Sequence, residues 1–150
     1  MKRILFVCTA NVCRSPIAKA FFDRSLSAKA HLAAPVATDS AGTTTLDGYH
    51  AASGAQEVMR DHGIDLSEHR SKILTQDILQ AADIVLVMEE WHKHVVVSEY
   101  PQSASKVHLL SEYAGRTGDI LDPTDGDESV RACAEELRHL ATLVADRLLS

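Results

Sequence analysis

The sequence lacks the features that define several large classes of protein. It has no apolar stretch long enough to span a bilayer, and its N-terminal apolar run is short and continues into polar residues, unlike a signal peptide. Its cysteines number only three, an odd count without the spacing of a disulfide scaffold. These absences favour a cytoplasmic protein that stays in a reducing compartment.

Basic runs are also missing, which limits the partners that the protein would bind. The formal net charge is −6, with lysine and arginine mixed among the acids, so neither nucleic acid nor an anionic membrane is favoured. The 150 residues are 45% hydrophobic and show no internal repeat, low-complexity tract or linker. We therefore expect a single domain over residues 1–150, and we favour a monomer.

Strand and helix signals alternate along the chain. Continuous apolar or β-branched runs predict strands at 4–7, 35–38, 83–88 and 107–110. Amphipathic patterns and stop signals predict helices at about 16–30, 52–62, 74–79, 89–98 and 127–149. We expect a three-layer α/β/α fold with a short parallel sheet of about four strands, whose carboxyl ends bind the ligand.

The first strand leads into the most informative stretch, C-T-A-N-V-C-R-S-P at 8–16. Cys8 ends the strand, while Ser15 is a good N-cap and Pro16 a good first helical residue. Backbone N–H groups of such a loop bind anions and favour a thiolate, and the Arg14 fork matches two phosphate oxygens. The pattern predicts a phosphate-binding loop and nucleophilic phosphoryl transfer through a phosphocysteine, with no metal or other cofactor.

The loop residues expected to surround the phosphate are Thr9, Ala10, Asn11, Val12, Cys13 and Ser15. Ser15 is close enough in sequence to donate a hydrogen bond to the Cys8 sulfur. The alternative interpretation is a buried structural cysteine with an unrelated surface arginine, because this spacing also occurs by chance.

Transfer to a thiolate also needs an acid that protonates the leaving oxygen. The segment 118–128 offers Asp119, Asp122, Asp125 and Asp127. Pro123 restrains the backbone of Asp122, which singles out that residue only weakly. Acidic loops before helices are also often merely solvated.

The loop resembles that of the low-molecular-weight protein tyrosine phosphatase family, C-x(5)-R-S-P with an asparagine at the position of Asn11. The likeness extends from about residue 3 to 149. It implies that Cys8 is the nucleophile, that Arg14 binds the phosphoryl group, and that Asp122 of the Asp-Pro pair is the general acid. The implied reaction is hydrolysis of phosphotyrosine on a phosphorylated protein.

Two further motifs support the resemblance. Ser40 of S-A-G-T resembles a serine that binds the loop asparagine, and His69 of H-R-S-K resembles a histidine that braces the serine after the arginine, here Ser15. The resemblance also implies a reversible, protective disulfide between Cys8 and Cys13.

The departures from the family pattern concern the substrate. Thr124 stands where the family has an aromatic residue after Asp-Pro, and the nearest candidates for the opposite wall are Leu46 and Tyr49. Val12 points to phosphotyrosine, because members resembling protein-arginine phosphatases have threonine there. The stretch 82–122 nevertheless resembles that branch, so an arginine phosphatase stays an alternative.

Other classes of protein fit the same residues less well. A non-catalytic phosphate-binding module would not need Asp122, and an arsenate reductase would need cysteines near the third strand, where 82–90 have none. His92 and His94 lie two apart and are expected on the solvated surface, not in a metal site. Cys133 is expected in the core.

Overall fold

The computed structural model describes residues 1–29, 35–123 and 126–149, apart from the side chain of Asp127. Its strands form one parallel four-stranded sheet in the order β2-β1-β3-β4. The strands are β1 Lys2–Cys8, β2 Val36–Gly42, β3 Ile84–Val87 and β4 Val107–Leu109.

Helices connect the strands and close the chain. They are α1 Arg14–Ala28, α2 Ser53–Asp61, α3 Gln76–Ala81, α4 Glu90–Glu99, α5 Leu110–Tyr113 and α6 Gly126–Leu149, with a 3-10 turn at Pro101–Lys106. Within the described residues, no helix is long and apolar enough to cross a membrane.

Strand β1 is buried on both faces because its side chains alternate between two cores. Ile4 and Phe6 pack in the core under α1, α2 and α6, while Leu5 and Val7 pack in the core under α3 and α4. The sheet therefore lies between two helical layers. The expected three-layer α/β/α architecture with four parallel strands is confirmed.

The order of the strands places the ligand site. The chain leaves β1, forms β2 on one side of it and then returns to form β3 on the other side. This reversal opens a crevice at the carboxyl end of β1, which is where ligands bind in parallel sheets. The loop from Thr9 to Cys13 fills that crevice.

Two of the boundaries that differ from the sequence prediction lie at the site, whereas α3 is shifted by two residues and the short helix α5 was not predicted. Strand β2 continues to Gly42, beyond the predicted 35–38, because S-A-G pairs with the end of β1. Helix α1 begins at Arg14 with Cys13 at its N-cap, so Ser15 is not the cap. The Ser15 hydroxyl is used inside the site instead.

Candidate active site

The carbonyl groups of the loop point away from its centre. Hydrogen bonds of 2.7–3.1 Å join groups around the loop to the carbonyl oxygens of Cys8, Thr9, Asn11, Val12 and Cys13. No described peptide bond is cis, so each following N–H points opposite to its carbonyl, towards the loop centre. Together with the N-terminus of α1, these N–H groups form an anion-binding bowl.

Asn11 holds the bowl in shape. Its φ is 60°, the only positive value at a non-glycine residue in the described chain, and its side chain is fully buried. Its Nδ2 donates to Ser15 Oγ at 2.8 Å and Ser40 Oγ at 2.9 Å, while its Oδ1 accepts from the Lys72 N–H at 3.0 Å. These bonds offset the cost of a left-handed residue, and the expected contact between Ser40 and Asn11 is confirmed.

Gly42 brings the end of β2 against the loop. A Cβ at this position would lie 2.6 Å from the Thr9 carbonyl oxygen and 3.0 Å from the Ala10 carbonyl carbon. Real side chains do not approach backbone that closely, so only glycine allows this contact. Ala10 does not have a positive φ, so an alanine fits this loop position without backbone strain.

Cys8 lies at the base of the bowl. Its Sγ is buried and 3.0 Å from Ser15 Oγ. Because Ser15 Oγ already accepts a proton from Asn11 Nδ2, the serine is free to donate its own proton to the sulfur. The expected pairing of Ser15 with Cys8 is thus present.

Arg14 is only 2% exposed and is held mainly through one nitrogen. Its Nη1 donates to Glu89 Oε2 at 2.6 Å and to the Ile120 carbonyl at 2.8 Å, and its Nη2 donates to Thr9 Oγ1 at 3.2 Å. Its Nε is buried without a hydrogen-bond partner. The Nε–H and the second Nη2–H therefore remain as a fork for two phosphoryl oxygens.

Asp122 lies beside that fork. Its Oδ1 is 3.4 Å from Arg14 Nε, and its side chain is 68% exposed. Asp119, in contrast, accepts a backbone N–H at the start of α4 at 2.9 Å. Asp125 and the side chain of Asp127 lie outside the described residues. Of the two candidate aspartates whose side chains are described, Asp122 is therefore the one that lies beside the Arg14 fork.

His69 contacts a different partner from the one expected. Its Nε2 donates to the Asn11 carbonyl at 2.7 Å and not to Ser15. Burial lowers the pKa of His69 from its usual value, so the ring is neutral at pH 7. His69 therefore supports the loop through the backbone carbonyl of Asn11. The predicted contact of His69 with Ser15 is wrong.

Glu89 and His92 are site residues that the sequence analysis missed. The prediction that His92 is solvated is wrong: its side chain is fully buried, and its Nε2 lies 2.9 Å from Thr9 Oγ1. His94 is exposed as expected. One sequence signal could have indicated these two residues. Glu89 and His92 come shortly after a buried strand, and ligands bind at the carboxyl ends of such strands.

The three cysteines are free thiols with different surroundings. Burial raises the pKa of Cys13 to about 12 and that of Cys133 to about 11. Cys133 packs in the core, as expected. In the part of the chain that the structure describes, no three His, Cys, Asp or Glu side chains cluster as metal ligands.

Several exposed apolar side chains lie on the segments that border the loop. Among the described residues, four of the five large apolar side chains that are exposed lie on segments that contact the loop or carry Asp122; these are Leu46, Tyr49, Trp91 and Leu121. The Trp91 ring packs against the His92 ring, with centroids 4.1 Å apart and planes tilted by 40°, and His92 contacts Thr9. Thr124, which stands where the family has an aromatic residue after Asp-Pro, lies outside the described residues.

A parallel α/β domain whose first loop carries a cysteine at its base and an arginine at its rim has the architecture of the cysteine-dependent phosphatases. The family model described as low molecular weight phosphotyrosine protein phosphatase matches residues 3–148, and the chain belongs to that family.

Individual relatives include both kinds of phosphatase. A probable low molecular weight protein-tyrosine-phosphatase, EpsP of Ralstonia nicotianae, is 42% identical over 82% of this chain and 79% of its own. A protein-arginine-phosphatase of Geobacillus stearothermophilus is 36% identical over 97% and 95% of the two chains. The crystal structure of a low molecular weight protein tyrosine phosphatase from T. tengcongensis superimposes with a TM-score of 0.91, at 39% identity over 99% and 100%.

Proposed function

We propose that this phosphatase hydrolyses phosphotyrosine in proteins through a phosphocysteine at Cys8. The observation that carries the proposal is the placement of the Cys8 sulfur beneath the bowl of N–H groups, 3.0 Å from the Ser15 hydroxyl. A phosphoryl group bound in the bowl and by the Arg14 fork presents its phosphorus to that sulfur.

In the first step the Cys8 thiolate attacks phosphorus, and the bond from phosphorus to the tyrosine oxygen breaks as the sulfur–phosphorus bond forms. The departing electron pair stays on the phenolic oxygen, which takes a proton from the acid form of Asp122. The Arg14 fork and the bowl bind the equatorial oxygens, where the transition state carries its charge.

In the second step water attacks the phosphocysteine and the sulfur leaves as a thiolate. Asp122, now a carboxylate, takes the proton from that water, and inorganic phosphate departs. Ser15 stabilises the leaving thiolate by donating its hydroxyl proton to the sulfur.

The mouth of the bowl favours an aromatic substrate. Leu46, Tyr49, Trp91 and Leu121 are exposed on segments that contact the loop or carry Asp122, and exposed apolar side chains suit the ring of a phosphotyrosine better than a guanidinium. Val12 in the loop is also apolar and offers no hydroxyl to a phosphoguanidinium.

Protein-arginine phosphatase activity is the second candidate. It is favoured by the arginine phosphatase relative, which aligns over 97% of this chain. For either substrate we place the enzyme in the cytoplasm, acting as a monomer on phosphorylated proteins and not on nucleic acid or membranes. Its free thiols and net charge of −6 support that setting.

The experiment compares hydrolysis of 4-nitrophenyl phosphate, a phosphotyrosine peptide and a phosphoarginine peptide by wild type, Cys8→Ser and Cys133→Ala. We expect Cys8→Ser to lose turnover yet still bind inorganic phosphate, and Cys133→Ala, the control in the core, to remain active. Wild type should prefer phosphotyrosine. Full activity of Cys8→Ser would refute the mechanism, and faster hydrolysis of phosphoarginine would replace the substrate.

A further inference from the structure

The buried His92 side chain has a partner at each ring nitrogen. Its Nδ1 lies 3.0 Å from the backbone nitrogen of Glu89, and its Nε2 lies 2.9 Å from Thr9 Oγ1. No part of the side chain is exposed to solvent. The ring thus connects the first turn of α4 with the residue that follows the nucleophilic cysteine.

The partners define which nitrogen carries the proton. A backbone N–H can only donate, so Nδ1 of His92 accepts and carries no hydrogen. Burial, followed by the charge of Arg14, lowers the pKa of His92 to about 4, so the ring is neutral at pH 7. Its proton is therefore on Nε2, and His92 donates to Thr9 Oγ1.

Thr9 Oγ1 also accepts from a second donor. Arg14 Nη2 donates to it at 3.2 Å. A hydroxyl oxygen has two acceptor sites and one proton, so two donors occupy both acceptor sites. The Thr9 hydroxyl is then left to act only as a donor, and it lies next to the Arg14 fork.

Glu89 fixes both of these donors. Its carboxylate accepts from Arg14 Nη1 at 2.6 Å, and its backbone N–H holds His92 Nδ1. One residue at the carboxyl end of β3 thereby fixes the orientation of the arginine fork and the tautomer of the histidine.

We propose that His92 is a positioning residue that directs the Thr9 hydroxyl proton towards a bound phosphoryl oxygen. The inference deepens the proposed function, on which it rests. It adds a side-chain donor to the backbone donors of the bowl, and it explains why a neutral histidine is buried beside the site.

The first test removes and restores the hydroxyl. Thr9→Val keeps the shape of the side chain, and we expect it to weaken inorganic phosphate binding and to lower kcat/KM for 4-nitrophenyl phosphate about tenfold or more, the scale of a hydrogen bond to a charged group. Thr9→Ser should recover most of the loss. Equal values for Thr9→Val and wild type, or no recovery in Thr9→Ser, would overturn the proposal.

The second test asks whether His92 acts through Thr9. We expect His92→Phe to lower phosphate affinity about three- to tenfold in the wild-type background and to have little further effect in Thr9→Val. His92→Gln, which keeps an N–H donor, should be the milder variant and also serves if His92→Phe does not fold. His94→Phe, on the exposed side of the same helix, is the control.

If His92→Phe and His92→Gln reduce phosphate affinity by the same factor, in the wild-type and in the Thr9→Val background alike, the role of His92 is merely structural. That result would refute the inference. Failure of the proposed function gives a different result, because wild type would then not turn over phosphate esters. Phosphate binding, measured by calorimetry, still tests the role of Thr9 in that case.

Discussion

The two walls of the phosphate-binding loop hold it by different means. The β2-side wall, residues 43–52 and 69–72, holds the loop mostly through its backbone: the N–H groups of Thr43, Thr44 and Ala52 donate to loop carbonyls. The β3-side wall, residues 88–92 and 119–122, acts mostly through side chains, which contact Arg14 and Thr9.

This difference separates shape from chemistry. Backbone hydrogen bonds depend on the course of the chain, so the β2-side wall shapes the bowl with little demand on side-chain identity. Side-chain contacts to Arg14 and Thr9 depend on particular carboxylate and imidazole groups. Substitutions of those β3-side side chains that contact Arg14 or Thr9 should therefore change catalysis, whereas substitutions in the β2-side wall should mainly change stability or specificity.

The largest effect is expected from the acid on the β3-side wall. Asp122→Asn should lower kcat for a phosphotyrosine peptide by roughly two to four powers of ten, because the leaving oxygen loses its proton donor. The loss should shrink for 4-nitrophenyl phosphate, whose leaving group departs without a proton. Steady-state kinetics with both substrates measures this difference.

Asp119→Asn is the matched control for that experiment. Its carboxylate accepts a backbone N–H of α4, so its loss should affect stability more than kcat. A larger fall in kcat for Asp119→Asn than for Asp122→Asn would move the acid role to Asp119.

The same contrast explains how much the sequence could predict. The continuous apolar runs at 4–7 and 83–88 predicted β1 and β3, because a strand buried on both faces needs no polar alternation. The loop chemistry of Cys8 and Arg14 followed from the strand, loop and helix pattern. The contact of Ser40 with Asn11 followed only from the resemblance to a family.

The supports on the β3-side wall could not be predicted in the same way. The segment W-H-K-H has the appearance of a solvated helix, and the burial of His92 arises because it is the third residue of α4 and turns back onto the Glu89 N–H. That placement depends on where α4 meets the loop, which no local pattern specifies. The contact of His69 with the Asn11 carbonyl likewise depends on tertiary placement.

Acid pH should lower the free energy of unfolding through His92, which lies on the β3-side wall. Burial, followed by the charge of Arg14, lowers the pKa of His92 from 6.5 to about 4 in the folded protein, while Glu89 and Asp119 oppose that shift. Below pH 6.5 His92 therefore binds a proton more readily in the unfolded chain than in the folded protein. The free energy of unfolding consequently falls as the pH drops towards 4. The full shift corresponds to about 3 kcal/mol.

Urea unfolding of wild type and His92→Gln at pH 7, 5.5 and 4.5 measures this effect. The variant lacks the titrating group, so its stability should fall less over this range. His69 and His108, whose pKa values are also lowered by burial, contribute equally to both proteins and cancel in the comparison. Parallel pH profiles would contradict the assignment to His92.

A steric change tests where the β2-side wall meets the loop. Gly42→Ala would put a Cβ 2.6 Å from the Thr9 carbonyl oxygen, and because that atom belongs to backbone, the loop has to move. We expect a stability loss of about 1–3 kcal/mol with a lower affinity for phosphate. Thermal unfolding and calorimetry measure both, and Gly54→Ala, where a Cβ meets only Val130 at 3.6 Å, is the control.

The smallest expected effect concerns Val12, whose carbonyl is held by the β2-side wall through the Ala52 N–H at 2.8 Å. Threonine has nearly the same shape as valine, so Val12→Thr should leave that backbone contact and the fold intact while adding one hydroxyl at the mouth of the bowl. A hydroxyl can bind a phosphoguanidinium, and a neutral hydrogen bond changes a ratio of kcat/KM values by about two- to tenfold. We therefore expect the preference for phosphotyrosine over phosphoarginine to fall by that factor, measured with matched peptides, and Val12→Ala to leave phosphoarginine without the gain. An unchanged ratio in Val12→Thr would place the discrimination elsewhere, in the apolar side chains around the mouth.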